Sequence, residues 1–209
     1  MHCKLSGYQE HIDELCIRKI SFLSLFILLL TTLAACSGLL ETDKLNGDFE
    51  YVEDNDLTPA GWSSNILVKG RDCATISVDE KVYRSGGKSL LFEIPKSVSK
   101  QSYINKVVRS CYGLKNLNTY ELNGWIKTKD INNSPYIELE FWNNGKLAGS
   151  YSTKRDQIVG TTNWKKVSSI FKIPKGTSKV IILLVVPNFQ NGGGKVWFDD
   201  IKIKSLENA

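Results

Sequence analysis

Tyr136-Ile137-Glu138-Leu139-Glu140-Phe141-Trp142 alternates residue by residue between apolar and polar or amphipathic side chains. In a β-strand successive side chains point to opposite faces, so Ile137, Leu139 and Phe141 share one face, read as the core side. Tyr136, Glu138, Glu140 and Trp142 share the other. One face buried and one face in solvent is the reading on which the fold turns.

The same period returns along the chain. In Tyr120–Lys127, Leu122, Gly124 and Ile126 face in, while Glu121, Asn123, Trp125 and Lys127 face out. In Ser89–Ile94, Glu93 lies outside against Leu90, Phe92 and Ile94 inside. Further strands are expected near Asn65–Lys69, Ala74–Asp79, Ser102–Arg109, Leu147–Tyr151, Lys165–Ile173, Lys179–Val186 and Lys195–Lys204, separated by Gly, Pro, Asn and Asp. No window of helical length carries a 3.6-residue apolar stripe. Many short strands without helices predict an all-β fold, a β-sandwich or jelly roll over 45–209, with no internal repeat and no second domain.

The chain of 209 residues is 42% hydrophobic and 23% charged, ordinary for a folded protein. Some of that hydrophobicity is concentrated in Ser21–Ala35, an uncharged run preceded by Arg18-Lys19. A cationic flank, a short apolar stretch and small residues at the exit are the parts of a secretory signal. The apolar run falls short of the about 20 residues a membrane span needs. Residues 1–35 are therefore expected to be a signal peptide, with an unusually long and acid-containing start (Glu10, Asp13, Glu14) that suggests translation beginning further in. Leu33-Ala34-Ala35-Cys36-Ser37-Gly38 resembles the bacterial lipobox. That resemblance implies acylation of Cys36, anchoring in a lipid bilayer, a short tether over 36–44, and a cell-envelope location with the outer membrane favoured. The alternative is an ordinary cysteine behind an uncleaved anchor.

Charge and reactive residues exclude several function classes. Three basic and three acidic residues precede Cys36, so the net charge of +5 belongs to the remainder, where no Lys/Arg run exceeds two. Nucleic-acid binding wants a concentrated basic patch, and none is visible in the sequence. The two histidines, His2 and His11, both precede Cys36. The remainder therefore lacks Ser-His-Asp and Cys-His catalysis and histidine-bound zinc. Past Cys36 there remain Cys73 and Cys111, an even pair that an oxidising compartment would join as a disulfide, or else two buried thiols.

Five segments in order resemble jelly-roll carbohydrate-binding modules of the xylan-binding type. They are Asn46-Gly47-Asp48-Phe49-Glu50 with Pro59-Ala60-Gly61-Trp62, then Tyr83–Leu90 (YRSGGKSL), Tyr120–Lys127 (YELNGWIK), the Trp164…Phe171…Pro174-Lys175-Gly176 segment, and Val196–Ile203 (VWFDDIKI). The resemblance runs from about Leu45 to Ile203. It implies a structural Ca²⁺ where the first and last strands meet, with carboxylates from Asp48, Glu50, Asp199 and Asp200 and carbonyls from Gly47 and the turn Gly86-Gly87-Lys88. Calcium takes six to eight oxygens of these two kinds. The alternative is that these acids are solvated strand ends.

Strand phase proposes the ligand site. Trp125, Trp142, Tyr136, Glu138, Glu140, Asn123 and Glu93 are expected to build one open face from three strands, with Trp62, Tyr103 and Tyr151 as further aromatics at strand starts or loop tips. Aromatic rings offer flat apolar surface to a pyranose, and carboxylates and amides satisfy its hydroxyls. The expected function is non-catalytic retention of polysaccharide, alongside a glycan-degrading enzyme as partner. A structural or protein-binding lipoprotein of the same fold is the second reading, and a glycan-cleaving enzyme the third. Glu138 and Glu140 lie about 6.5–7 Å apart along one strand, near the separation of an inverting acid pair. Two acids on one strand flank a scissile bond poorly.

Overall fold

The computed structural model describes residues 45–53, 58–64, 74–96, 105–187 and 193–206. Residues 41–209 form one compact unit. The signal segment 1–35, Cys36, the tether 36–44, the expected strand Asn65–Lys69, Cys73 and Tyr103 lie outside the described residues, and with Cys73 the question of its bond to Cys111.

The described chain is all β. Its strands are β1 (Ser63–Ser64), β2 (Thr75–Asp79), β3 (Ser89–Ile94), β4 (Asn105–Cys111), β5 (Thr119–Ile131), β6 (Tyr136–Asn143), β7 (Lys146–Ser152), β8 (Gly160–Lys172), β9 (Lys179–Val186) and β10 (Gly194–Ser205). They form two five-stranded sheets, β1-β4-β9-β6-β7 (sheet I) and β2-β3-β10-β5-β8 (sheet II). Every strand pairing is antiparallel. The expected sandwich is therefore observed, with β3 and β9 at their expected bounds. β5 and β8 run longer than expected, because bulges after Ile126 and Thr128 carry their pairing past the clean alternation. The two-residue β1 has no apolar pattern to announce it.

The core lies between the sheets. Ile137, Leu139 and Phe141 of β6 meet Leu122 and Ile126 of β5, Leu90 and Phe92 of β3, and Phe198 of β10 in one cluster. Phe92 and Phe198 pack edge to face with centroids 5.5 Å apart. Burying each such side chain contributes about 1.5–3 kcal/mol. Gly124 belongs to this layer for lack of room: a Cβ there would come 2.6 Å from the Cδ1 atoms of both Ile137 and Ile201. The β6–β7 hairpin turns on Asn144-Gly145 with φ of 48° and 77°, the pair of positive values a two-residue type I′ turn demands.

Candidate functional site

The outer face of sheet I is built on β6. Glu138 stands between Leu183 of β9 and Ser152 of β7, and Glu140 between Ile181 and Ser150. Tyr136 pairs with Val185 and Trp142 with Lys179. Strand β9 reads as an unbroken apolar run because both of its faces are covered. Val180, Ile182, Leu184 and Val186 enter the core, while the alternating Leu183 and Val185, on the outer side, are only 3% and 0% exposed. Tyr136, Glu138, Glu140 and Trp142 are each half-buried beside that apolar floor. The Trp142 Nε1–H donates to Glu140 Oε2 at 3.0 Å, which fixes the indole against the carboxylate. Lys154 Nζ lies 5.6 Å from the centroid of the Tyr136 ring. Burial, and after it the charge of Glu138, pushes the Tyr136 phenol above its usual pKa, so it stays a neutral donor.

The expected three-strand face is divided in two. Strand β6 pairs with β9 and β7, whereas β5 pairs with β10 and β8. Both strands send their apolar rows into the same core, so their outer rows point in opposite directions. Tyr136, Glu138, Glu140 and Trp142 lie on one side of the sandwich; Asn123, Trp125 and Glu93 lie on the other. Each strand's phase is as expected, but alternation carries no information about which sheet a strand joins. On sheet II, the Arg84 guanidinium carbon sits 3.9 Å from the Trp125 ring centroid. Glu93 is paired with Lys195 at 2.9 Å.

Trp62 is a core residue rather than a ligand platform. It is 4% exposed, its Nε1–H donates to the Asn46 carbonyl at 2.9 Å, and its ring packs on Phe49 at 5.4 Å. Tyr151 leans on Phe141 and Phe171, at 5.9 and 6.3 Å, closing the sandwich edge between β7 and β8 instead of joining the outer face.

The acids expected at the meeting of first and last strands do gather there. Gly47, Asp48, Glu50, Ser85, Gly86 and Asp200 line one pocket of about 190 Å³. The strap Leu45–Tyr51 reaches it by turning through Asn46 and Phe49, both at positive φ (47° and 59°). Glu50 Oε1 accepts from the backbone N–H of Gly87 and Lys88, at 2.7 and 2.9 Å. The bulge of β10 between Asp199 and Lys202, with Asp200 at φ 51°, sends the two aspartates different ways. Asp200 faces the pocket. Asp199 is fully buried and accepts from the backbone N–H of Arg84, Ser85 and Asp200. Burial, with Asp200 adding to it, pushes the Asp199 carboxyl up to about 6 against these donors.

As arranged, several of these oxygens already have partners within the chain. Asp200 Oδ2 is taken by the Arg84 guanidinium and the Ser85 hydroxyl, and its Oδ1 by Lys202 at 3.1 Å. Burial raises the Asp200 pKa, but these donors outweigh it and hold the carboxyl low. The Gly47 carbonyl accepts from Ile201 N–H, and Lys88 Nζ donates to the Glu50 carbonyl. Two cations of the chain thus engage both carboxylate oxygens of Asp200, and a third engages the Glu50 backbone carbonyl.

No protein-family model matches the chain. Two relatives in Bacillus subtilis, the tRNA(Glu)-specific nuclease WapA of subsp. natto (strain BEST195) and the tRNA nuclease WapA of strain 168, are each 24% identical over 156 residues. That stretch is 71% of this chain and 6% of either nuclease, so the chain spans a small fraction of their length. The fold recurs in the CBM22-1 xylan-binding domain from Paenibacillus barcinonensis, at 15% identity and a TM-score of 0.50, covering 78% of this chain and 94% of that one. An arabinose-bound α-L-arabinofuranosidase shares it at 18% identity and a TM-score of 0.55, over 77% and 26% of the two chains. The enzymatically active domain of bacteriophage CBA120 tailspike protein 4 does so at 14% and 0.56, over 77% and 21%. This chain therefore has the two-sheet sandwich found in carbohydrate-binding modules.

Proposed function

We propose that this chain is a non-catalytic carbohydrate-binding lipoprotein, held at the cell envelope (outer membrane favoured) by acylated Cys36, that retains polysaccharide on the outer face of sheet I. One observation carries the reading: β6 presents Tyr136, Glu138, Glu140 and Trp142 side by side over the apolar floor of β9. The rings offer stacking surface to pyranose C–H faces, and the two carboxylates accept from hydroxyls between them. Glu138 and Glu140 project from the same side of one strand, which suits a row of hydroxyls better than the two sides of a scissile bond. Retention by the lipoprotein would hold the polymer for a separate glycan-degrading enzyme. The likeness to a xylan-binding domain supports this reading through the fold alone.

The test is affinity electrophoresis of the domain from Ser37 onward through gels holding xylan, β-glucan, mannan or pectin. Retardation by one polymer, abolished by Trp142→Ala and reduced by Glu138→Gln, is expected; Trp125→Ala should leave it intact. Free migration of the folded domain through the whole panel would favour a structural or protein-binding lipoprotein instead.

A further inference from the structure

Among the described residues, the side of the sandwich opposite β6 carries an array of lysines. The register of sheet II sets Lys129 beside Lys195 and Lys127 beside Trp197, with Lys166 next to Trp125. Lys202 and Lys204 continue the outer row of β10 past Asn123 and Glu121. Neighbouring strands lie about 4.8 Å apart, and same-face residues along a strand about 6.5–7 Å apart, so these ammonium groups form a two-dimensional lattice.

The lattice is under-neutralised. Lys195 is paired with Glu93 and Lys202 with Asp200. Lys127 donates only to the neutral Asn163 Oδ1, at 3.2 Å. Lys129, Lys166 and Lys204 form no ion pair among the described residues. Of the face's other acids, Asp79 accepts from Trp197 Nε1 at 2.8 Å and from two backbone N–H groups, and Asp199 is fully buried. Glu121 faces outward beside Lys204, so the cations outnumber the acids without being free of them. Trp197 and Leu91 are 5% and 8% exposed. Ile170, beside Glu121 on the same face, is 64% exposed. The face therefore offers many cations around little exposed apolar surface, matched to phosphates in a plane more than to an acyl interior.

We infer that the outer face of sheet II docks on an anionic phospholipid surface. The orientation rests on the anchoring proposed above. A tether over 36–44 extends at most about 30 Å, which keeps the domain beside the bilayer that holds Cys36. With sheet II against the headgroups, sheet I and its β6 row point away from the membrane, toward polymer. The lysine face and the glycan face are then two sides of one device.

The test is cosedimentation of unacylated residues 41–209, which carry the whole core and both sheets. One set of vesicles mixes phosphatidylglycerol with phosphatidylcholine; the other is phosphatidylcholine alone. Pelleting with the anionic vesicles only, lost at high salt, is expected. The triple variant Lys127→Gln/Lys129→Gln/Lys166→Gln should weaken partition about a hundredfold. Lys146→Gln/Lys179→Gln, on sheet I, should not. Equal pelleting with both vesicle types or with neither, or equal loss in both variants, overturns the inference. Binding to soluble polygalacturonate in place of vesicles overturns it too, and assigns the face to an acidic polymer. Trp142→Ala should keep vesicle binding, so failure of the glycan reading and failure of this one are read separately.

Discussion

The guanidinium of Arg84 bridges Trp125 and Asp200: its carbon lies 3.9 Å from the indole centroid while Nη1 bonds the Asp200 carboxylate. Trp125 therefore already has a cation on its face, and the cation is fixed by an acid that is 4% exposed. Truncation by Arg84→Ala leaves Asp200 with Ser85 and Lys202 and removes the cation–π contact. The cost expected is about 2–3 kcal/mol, a melting temperature lower by about 4–12 °C. Arg84→Lys should recover only part of it, since an ammonium keeps the charge but lacks the planar fork. Thermal unfolding followed by tryptophan fluorescence measures both, and melting of the alanine variant at the parent temperature would refute the bridge.

Asp199 gives the fold a pH dependence of unusual sign for an aspartate. Its carboxyl is pushed up to about 6 in the folded chain, against an ordinary 3.8. Between these values the folded protein holds a proton that the unfolded chain has released, so stability rises as pH falls through the window and is flat above it. The size is on the order of 2–3 kcal/mol. Histidine does not confuse the measurement, because His2 and His11 both precede Cys36. Urea midpoints of the domain should climb from pH 7 to pH 4.5. Asp199→Asn should remove this slope, at some cost throughout, because an amide nitrogen then faces donors that the carboxylate accepted. A slope unchanged in the variant assigns the titration elsewhere.

The sandwich was legible because alternation is a local signal: the phase of β3, β5 and β6 follows from single residues such as Phe92, Leu122 and Leu139. The junction of strap and β10 was legible too, since Glu50 and Asp200 do line one pocket. What alternation cannot carry is sheet membership. Trp125 and Trp142 have the same phase on neighbouring strands, yet one faces away from each sheet, because β5 and β6 take partners far along the chain. Trp62 misled for a related reason. Its burial depends on Phe49, brought in by a strap whose positive-φ turns no periodicity announces.

The clasp of Glu50, Asp200 and their donors should be indifferent to calcium. An ion at a hundredfold excess over its dissociation constant would add about 2.7 kcal/mol of stability. In a domain of this size that is a rise of about 5–11 °C in melting temperature. Lys202 and Arg84 already occupy both carboxylate oxygens of Asp200, and Lys88 the Glu50 backbone carbonyl. Melting curves in excess calcium chloride and in EDTA are therefore expected to coincide. A rise with calcium would show the ion displacing Lys202 and Lys88, and would restore the metal site that the resemblance led one to expect.

Gly47 tests whether the strap must lie against β10. A Cβ on this residue would sit 2.0 Å from the Ile201 carbonyl oxygen, which is backbone and cannot swing aside. The same glycine accepts the Ile201 N–H at 2.8 Å. Gly47→Ala must therefore lift the strap, lose that hydrogen bond, and draw the fully buried Phe49 away from Trp62. A loss of about 3 kcal/mol follows, lowering the melting temperature by about 6–12 °C. Gly149→Ala is the control: nothing lies within 4 Å of its Cβ position on β7, so it should melt with the parent or slightly above. Were Gly47→Ala to melt with that control, the strap would have room to spare over β10, and neither Phe49 nor the Glu50 clasp could be held where the structure places them.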